Sequence, residues 1–499
     1  MQLVPYVVVI PLTAAFLIPL VGKKIKLAGE ILSGAATFLL LAVSFLIASS
    51  VITHKVLVYK VGNWAPPAGI PMVVDGLSAF MLVTVNIVAF MAAVYAIDYV
   101  KKFTDTWKFY SLFMLMLSGI NGVLIAGDIF NMYVLLEIAA ISGYCLVAFG
   151  TGPDELEAAF KYAVMGIVAS AFILLGIAFL YSYTSTLNMA DMASVLAAKE
   201  PARVMQFVSV LFIMGFGLKA ALVPFHAWLP YAHSSAPAPV SAMLSGVSIK
   251  VLGIYALTRI LFNIFGMTPA ISSILIALAV ISMLAGSVLA FGQSDIKRLF
   301  AYSSISQIGY IALGLAIATP LSLLGALFHL FNHSLAKSLL FLNSGSIERM
   351  TGTRDMNKMS GVLSTSPVVG YTGLVGAFSI CGMPPLGGFW SKLIIILACL
   401  QAGHPVLAFI AILASVLTLA YYFKALSPVL FGRGRRDLNV AAGKRISFAM
   451  AAPVVILACL SIVSVAMLLP NPANVLLKDA VAILSSGKDY AGNIMGAFK

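Results

Sequence analysis

Long apolar runs alternate with short polar segments along almost the whole chain. Each run approaches or exceeds the roughly 20 residues that an α-helix needs to cross a bilayer core. The runs occupy residues 3–21, 28–53, 72–99, 109–126, 128–149, 158–183, 205–232, 238–262, 270–292, 299–318, 320–345, 365–400, 404–430 and 447–468. The pattern predicts an all-α polytopic membrane protein with about fourteen transmembrane helices. The run 365–400 is too long for one simple helix, and the first run is expected to be a retained span.

Basic residues are concentrated in every second loop, as cytoplasmic loops require. The odd-numbered loops carry sixteen of them: Lys23, Lys24, Lys26, Lys101, Lys102, Lys108, Lys297, Arg298, Arg349, Arg354, Lys358, Arg433, Arg435, Arg436, Lys444 and Arg445. The even-numbered loops carry four: Lys55, Lys60, Lys199 and Arg203. We therefore expect the odd-numbered loops in the cytoplasm and both termini outside, in a prokaryotic cytoplasmic membrane.

Composition agrees with a membrane location. Charged residues make up 9% of the 499 residues, whereas a soluble domain carries about 25%. The net charge of +13 follows mainly from the loop asymmetry, so it does not indicate a nucleic-acid partner. The four cysteines lie in apolar runs without CxxC spacing, so neither a disulfide framework nor a metal site is predicted.

Seven basic residues fall within the predicted spans. Three of them lie near span ends, where the side chain can extend to the interface: Lys161, Arg259 and Lys424. Four lie deeper: Lys219, Lys250, Lys337 and Lys392. The acid well inside a span is Glu137. Four lysines and one glutamate facing lipid would cost on the order of 10 kcal/mol, so we expect these side chains to face the interior of the bundle.

Static ion pairs between helices are one explanation of the buried charges. One carboxylate cannot neutralise four lysines, however. A lysine without a counter-charge in a low-dielectric interior is not held in its charged form, so it can take up and release a proton. The set therefore favours a proton path.

Three further polar residues follow one helical face. His329, His333 and Lys337 stand at i, i+4 and i+8, and histidine titrates near neutral pH. HxxxH is also a metal-ligand spacing, but no glutamate adjoins the first histidine and the third group is a lysine. A proton relay or a hydrogen-bonded structural pair is favoured over a metal site, and no metal is expected.

Two spans are interrupted close to a lysine. Pro224 follows Lys219, and Pro384–Pro385 precedes Lys392. Proline breaks at membrane depth are tolerated where the backbone is buried in protein or lines a wet cavity. Paired interruptions in the two halves of a chain are typical of inverted repeats whose functional site lies at the breaks.

These interruptions predict the division of the chain. We expect N-terminal helices 1–3, an inverted repeat of helices 4–8, a second repeat of helices 9–13, and helix 14 with a short tail, at residues 1–107, 108–264, 265–432 and 433–499. Glu137 in span five has no acidic counterpart in span ten, so it is expected to influence only Lys219.

Several of these segments resemble one known family over nearly the whole chain. They are LLEIAAISGYCL around Glu137, GLKAALVPFHAWLPYAHSSAPAPVSAMLSG from 217, IKVLGIY around Lys250, SDIKRLFAYSSISQIGY from 294, FHLFNHSLAKSLLFLNSGSI and GMPPLGGFWSKL. The chain resembles the antiporter-like subunits of respiratory complex I, the Mrp-type cation/proton antiporters and the membrane-bound hydrogenases. The short C-terminal tail and Lys392, where one complex I subunit has glutamate, make it most similar to the D-type component of Mrp antiporters or its counterpart in a hydrogenase or related complex.

The resemblance implies roles for individual residues. Glu137 and Lys219 match a coupled pair, Lys250 matches a central lysine, and Lys392 matches the terminal exit-side group. A hydrophilic axis is matched by His329, His333 and Lys337. It implies a proton-translocating or Na⁺/H⁺-exchanging subunit that works with other integral membrane subunits.

Three classes of function are compatible with these features. The first is an antiporter-like subunit of an Mrp complex or, as the alternative within this class, the equivalent proton-pumping subunit of a redox complex. A quinone-binding or redox-active chain is disfavoured because CxxC sets, haem motifs and the GxGxxG fingerprint are absent from the sequence. No cofactor and no redox catalysis are expected in the chain itself. A transporter of organic solutes is less suited to a row of polar groups along a bundle.

Overall fold

The computed structural model describes residues 2–25, 27–64, 69–198, 203–432 and 446–497, and these are mostly helical. Before the first interruption, the helices are α1 (Tyr6–Gly22), α2 (Ala28–His54), α3 (Gly76–Tyr99), α4 (Thr106–Ile125), α5 (Ile129–Val147), α6 (Pro153–Thr184), α7 (Met189–Ala198) and α8 (Arg203–Lys219). Predicted loop residues Lys26, Lys199 and 433–445 lie outside the described residues.

After that interruption come α9 (Trp228–Ser235), α10 (Ala238–Met243), α11 (Ala256–Thr258), α12 (Pro269–Phe291), α13 (Ile296–Ile317), α14 (Pro320–Thr351), α15 (Val362–Thr365), α16 (Pro367–Cys381), α17 (Gly387–Gln401), α18 (Pro405–Phe431), α19 (Phe448–Val463), α20 (Pro472–Ser485) and α21 (Tyr490–Ala497). Two π-helical stretches, Leu244–Tyr255 and Arg259–Phe265, make one continuous helical rod with α10 and α11.

Each predicted apolar run overlaps with helical structure, and within the described residues ten helices are long and apolar enough to cross a membrane. The four other predicted spans are not among these ten helices, and each has an identifiable reason. Helix α1 has 17 residues, interruptions shorten the helices of spans seven and twelve, and α14 carries many polar side chains along its 32 residues. The number fourteen therefore remains a prediction.

The predicted start of the third span is wrong. Residues assigned to that span form strand β2 (Pro71–Val74), which pairs antiparallel with β1 (Leu57–Lys60). Helix α3 begins only after Asp75, whose carboxylate accepts a hydrogen bond from the Ser78 N–H and so caps the helix. A hairpin of valines and other apolar residues is difficult to distinguish from the start of an apolar helix.

Burial is reversed relative to a soluble protein. The α10–α11 rod, α13 and α14 are largely enclosed by other helices, although they carry many of the buried polar residues. Helices at the periphery expose large apolar side chains instead, such as Phe160, Val288 and Phe409. Polar groups inside and apolar groups outside are the arrangement that a lipid environment requires.

The residues after the last predicted span also fold. Helix α20 packs against α3 and α14, and it buries Leu477 and Leu484. Helix α21 packs against α7. The sequence predicted only a short tail here, because these helices are too short and too polar to be recognised as spans.

Candidate functional site

The first interruption lies between α8 and α9. Helix α8 ends at Lys219, and Val223–Pro224 is a cis peptide bond. Two backbone groups near the break have side-chain partners: the Leu218 carbonyl accepts from the Trp228 indole at 3.1 Å, and the Val223 N–H donates to Ser282 Oγ at 2.9 Å. The helix is therefore interrupted at Pro224, and these protein groups satisfy part of the backbone at the interruption.

Lys219 forms an ion pair beside this break. Its Nζ lies 3.3 Å from Glu137 Oε1 and 3.4 Å from the Tyr144 hydroxyl. Glu137 also accepts a short hydrogen bond from Ser170 Oγ. The Lys219 side chain is 4% exposed and that of Glu137 is 22% exposed. The structure therefore brings together the two residues that the sequence predicted as a pair.

The second interruption is built differently. Helix α16 ends at Cys381, Gly382 adopts φ +79°, and Pro384–Pro385 is a cis bond before α17 begins. Lys392 Nζ donates to the Ile380 carbonyl at 2.8 Å and lies 3.5 Å from Ser415 Oγ. Here the lysine itself binds the carboxyl end of the broken helix, where the helix dipole favours a cation.

The remaining two lysines also bind backbone carbonyls. Lys250 lies in the first π-helical stretch and makes a short hydrogen bond to the Ser245 carbonyl. Lys337 donates to the Phe300 carbonyl at 2.9 Å and to the Tyr422 hydroxyl at 3.2 Å. Both side chains are fully buried. No sequence pattern indicates the π-helix, although π-helical turns are frequent at functional sites.

The two predicted histidines connect this region with the second break. The ring centroids of His329 and His333 are 6.2 Å apart on one face of α14. His329 Nδ1 bonds Ser391 Oγ at 2.9 Å, next to Lys392 in α17. His333 has no hydrogen-bond partner on either ring nitrogen among the described residues. The charges of Lys250, Lys337 and Lys392 all act on His333, so the histidine lies among three of the four predicted lysines.

Two basic residues lie where the sequence did not predict them. The sequence predicts that Arg259 extends to the interface, but the residue is buried, and its Nη2 lies 2.5 Å from Asp75 Oδ1. The sequence predicts a loop position for Lys297, but the residue lies in α13 and is 1% exposed, with its Nζ 3.1 Å from Glu348 Oε2. The carboxylates come from the N-cap of α3 and from α14, and no local sequence pattern reveals a partner so far away in the chain.

Other polar residues of the site were missed at the sequence level. They are Tyr144, Ser170 and Tyr422, which contact predicted lysines or Glu137, and His233, which is fully buried in α9. Single serines and tyrosines in apolar helices are common, so they carry no usable signal. His233 did carry a usable signal, because it follows Pro224 closely in the segment that contains the first break.

Comparison with known proteins identifies the family. Residues 126–418 match the family model described as "NADH:quinone oxidoreductase/Mrp antiporter, TM". Residues 65–110 match "NADH-Ubiquinone oxidoreductase (complex I), chain 5 N-terminus". The first match covers more than half of the chain, so the chain belongs to the transmembrane family shared by NADH:quinone oxidoreductases and Mrp antiporters.

Two curated relatives and two solved structures illustrate the range of this family. The chain is 34% identical to the D-type component of the Na⁺/H⁺ antiporter of Alkalihalophilus pseudofirmus, over 87% of this chain and 88% of that one. It is 37% identical to the N-type component of the NADH-quinone oxidoreductase of Desulforudis audaxviator, over 84% and 85%. A chain of the Mrp complex from Dietzia matches with a TM-score of 0.89 at 27% identity, over 100% of both chains.

The second structure is the membrane-bound sulfane sulfur reductase, an archaeal respiratory membrane complex. One of its chains matches with a TM-score of 0.90 at 30% identity, over 99% of this chain and 100% of that one. The resemblance to the antiporter-like family is therefore confirmed, and the fold is that of antiporter-like membrane subunits. Mrp and respiratory relatives match this chain to a similar degree.

Proposed function

We propose that this chain is a proton-translocating, antiporter-like subunit of a multisubunit membrane complex, similar to the D-type component of Mrp antiporters. The observation that carries the proposal is the row of buried lysines and histidines between the two interrupted helices. The row begins at Lys219 with Glu137, continues through Lys250, and ends at Lys392. In the Na⁺/H⁺-exchanging form of this function, sodium movement is coupled to the same row.

The steps follow from the partners of each lysine. Glu137 supports the charged form of Lys219, and separation of the pair removes that support. Lys219 then passes its proton towards Lys250, the histidines carry it along α14, and Lys392 exchanges it with one side of the membrane. Backbone carbonyls hold Lys250 and Lys392 in place in either protonation state.

The exposed face of α5 supports an assembly with other membrane subunits. Phe130, Val134 and Ile141 are 41–56% exposed and lie on the face that also carries Glu137. An ionisable carboxylate at the edge of an apolar, lipid-facing stripe is costly, so another membrane subunit is a suitable cover for this face. The relatives that belong to named complexes support the same conclusion.

A Lys219→Ala substitution tests this proposal. The variant should assemble in near-normal amount and lose coupled ion movement, measured as proton or Na⁺ transport in membrane vesicles. Lys424→Ala is the matched control, because Lys424 is exposed on α18 and donates to a backbone carbonyl at 3.4 Å. Normal transport by the Lys219 variant would refute the proton path.

A second candidate function is the equivalent proton-pumping subunit of a redox complex. It is favoured by the 37% identity to a component of an NADH-quinone oxidoreductase and by the match to a respiratory complex. Mass spectrometry of the complex purified with this chain separates the two. Flavin and Fe–S proteins would indicate the redox complex, and small hydrophobic subunits alone would indicate an Mrp antiporter.

We further infer a topology of fourteen spans, with inverted repeats at residues 108–264 and 265–432 and both termini outside. The two interruptions, five spans apart, support the repeats, and the distribution of basic loop residues supports the orientation. Impermeant labelling of cysteines introduced at the two termini tests the orientation. Protection of both termini in intact cells would overturn it.

A further inference from the structure

A buried histidine outside the proposed row lies near the end of the bundle that carries the Lys/Arg-rich loops. His233 is the sixth residue of α9, and its ring stacks on Phe341 of α14 with centroids 4.5 Å apart. Neither ring nitrogen has a hydrogen-bond partner among the described residues. Buried polar atoms are nearly always hydrogen-bonded, so a buried imidazole without a partner among these residues is uncommon.

Three lysines from three different elements act electrostatically on this ring. They are Lys250 in the π-helical stretch, Lys297 at the start of α13 and Lys337 in α14. No carboxylate of the described residues appears among the charges that act on it. Nothing therefore holds the ring permanently protonated, and a neutral imidazole has one donor and one acceptor nitrogen. Such a ring can receive a proton on one side and release one on the other.

An ion pair joins this histidine to the surface. Lys297 Nζ lies 3.1 Å from Glu348 Oε2 and donates to the Ala236 carbonyl at 3.2 Å, three residues after His233. The Lys297 side chain is 2% exposed, whereas that of Glu348 is 25% exposed. The pair thus extends from a carboxylate at the edge of the bundle to a lysine that faces the buried ring.

Further cations surround the carboxylate. Lys102 and Arg354 also act on Glu348, and Arg354 donates a short hydrogen bond to the Ser234 carbonyl, beside His233. The direct contact of Glu348 is with Lys297, and Lys102 and Arg354 add positive charge around it. A partly exposed carboxylate at this edge can exchange protons with water.

We propose that Glu348, Lys297 and His233 carry protons between the water at the basic-loop face and the central lysines Lys250 and Lys337. This inference rests on the proposed function and extends it, because it assigns the connection between the buried row and one side of the membrane. The alternative is a purely structural role, in which the ion pair holds α13 against α14 and His233 only packs against Phe341. The two roles differ in whether a proton carrier added to the medium restores transport.

The test uses His233→Ala in the intact complex reconstituted into proteoliposomes. Transport should fall by roughly 10²-fold or more, the usual contribution of a positioned proton-transfer group. Imidazole added to the medium should restore part of the rate, because the removed ring leaves space for it. His404→Ala is the matched control: this histidine is exposed at the start of α18, and its loss should change neither the rate nor the response to imidazole.

Glu348→Gln provides an independent measurement if His233→Ala fails to assemble. This nearly isosteric change at the end of α14 removes the titrating group, so transport should slow, and a small weak acid in the medium should accelerate it. Normal transport in Glu348→Gln overturns the proposal. A slow His233→Ala complex of normal abundance that imidazole does not accelerate also overturns it.

Failure of this inference can be distinguished from failure of the proposed function. If Lys219→Ala abolishes transport while the His233 and Glu348 variants transport normally, the row carries protons but the connection to water lies elsewhere. If Lys219→Ala transports normally, the proposed function itself is refuted, and the inference built on it is refuted with it.

Discussion

The ion pair between Glu137 and Lys219 gives the sharpest test of how the row operates. The pair could be static, with a purely structural role, or switching, so that it separates during transport. Both kinds of pair have the observed distance of 3.3 Å between Lys219 Nζ and Glu137 Oε1. Removing the charge of Glu137 should impair assembly if the pair is static and transport if it is switching. Glu137→Gln removes one charge with almost no change in shape, and its amide oxygen can still accept from Ser170.

The distance sets the magnitude of the effect. At 3.3 Å and an effective dielectric constant of about 20, the Coulomb attraction is about 5 kcal/mol. Breaking a buried pair and leaving one charge uncompensated typically costs about 3–5 kcal/mol. If Lys219 must stay charged, this cost falls on folding and assembly. If Lys219 can release its proton, the variant avoids the cost by keeping the lysine neutral.

The switching pair therefore predicts normal assembly and lost transport. Glu137→Gln should give a complex of normal abundance on a native gel, with coupled transport in vesicles reduced to background. The matched control is Glu157→Gln, because Glu157 is 62% exposed and its ion pair with Lys161 lies at the surface. An exposed pair contributes only about 0–1 kcal/mol, so the control should assemble and transport normally. Low abundance of the Glu137 variant with normal transport per complex would refute the switching pair.

Three further predictions concern other parts of the bundle. His333→Gln should slow transport and change its dependence on pH in vesicle assays, whereas stoichiometric metal that disappears with the substitution would indicate a metal site instead. Asp75→Asn leaves Arg259 buried without its partner and should destabilise the complex by about 3–5 kcal/mol in thermal unfolding; unchanged stability would contradict a structural pair. Gly388→Ala should reduce assembly on a native gel, because a Cβ at Gly388 would lie 1.8 Å from the Ser379 carbonyl oxygen; normal amounts would show that the broken helix can shift.

The positions of the helices could be predicted because lipid imposes a simple rule. Apolar side chains cover the outside of the bundle, so a run of about 20 apolar residues marks a helix without knowledge of its neighbours. The two interruptions were equally accessible, since proline lacks the N–H that a continuous helix needs. Both Pro224 and Pro384–Pro385 lie between separate helices in the structure.

Long-range partners could not be predicted in the same way. The pairs of Arg259 with Asp75 and of Lys297 with Glu348 join residues that are far apart in the chain. The sequence predicts an interfacial position for Arg259 and a loop position for Lys297, but the depth of each cation depends on which helix supplies a carboxylate. The pairing of Glu137 with Lys219 was accessible because the spans contain few acids.

The partners of the four lysines indicate where control of the row lies. Lys250, Lys337 and Lys392 all bind backbone carbonyls. A carbonyl dipole is fixed in the helix and does not respond to the protonation of its partner. Lys219 instead binds a side-chain carboxylate, which also accepts a hydrogen bond from Ser170.

A side-chain carboxylate can change its rotamer, whereas a helix carbonyl cannot. Under the proposed function, Glu137 is therefore the group suited to control proton transfer. When Glu137 rotates away, the charged form of Lys219 loses about 5 kcal/mol of support at the observed 3.3 Å, while the other three lysines keep their partners. The second half has no equivalent acid, and Lys392 is held by the end of its own broken helix. The two halves therefore cannot act identically. Under the proposed function, events at the edge of the bundle near α5, where the Glu137 side chain is 22% exposed, would set the direction of proton movement along the row.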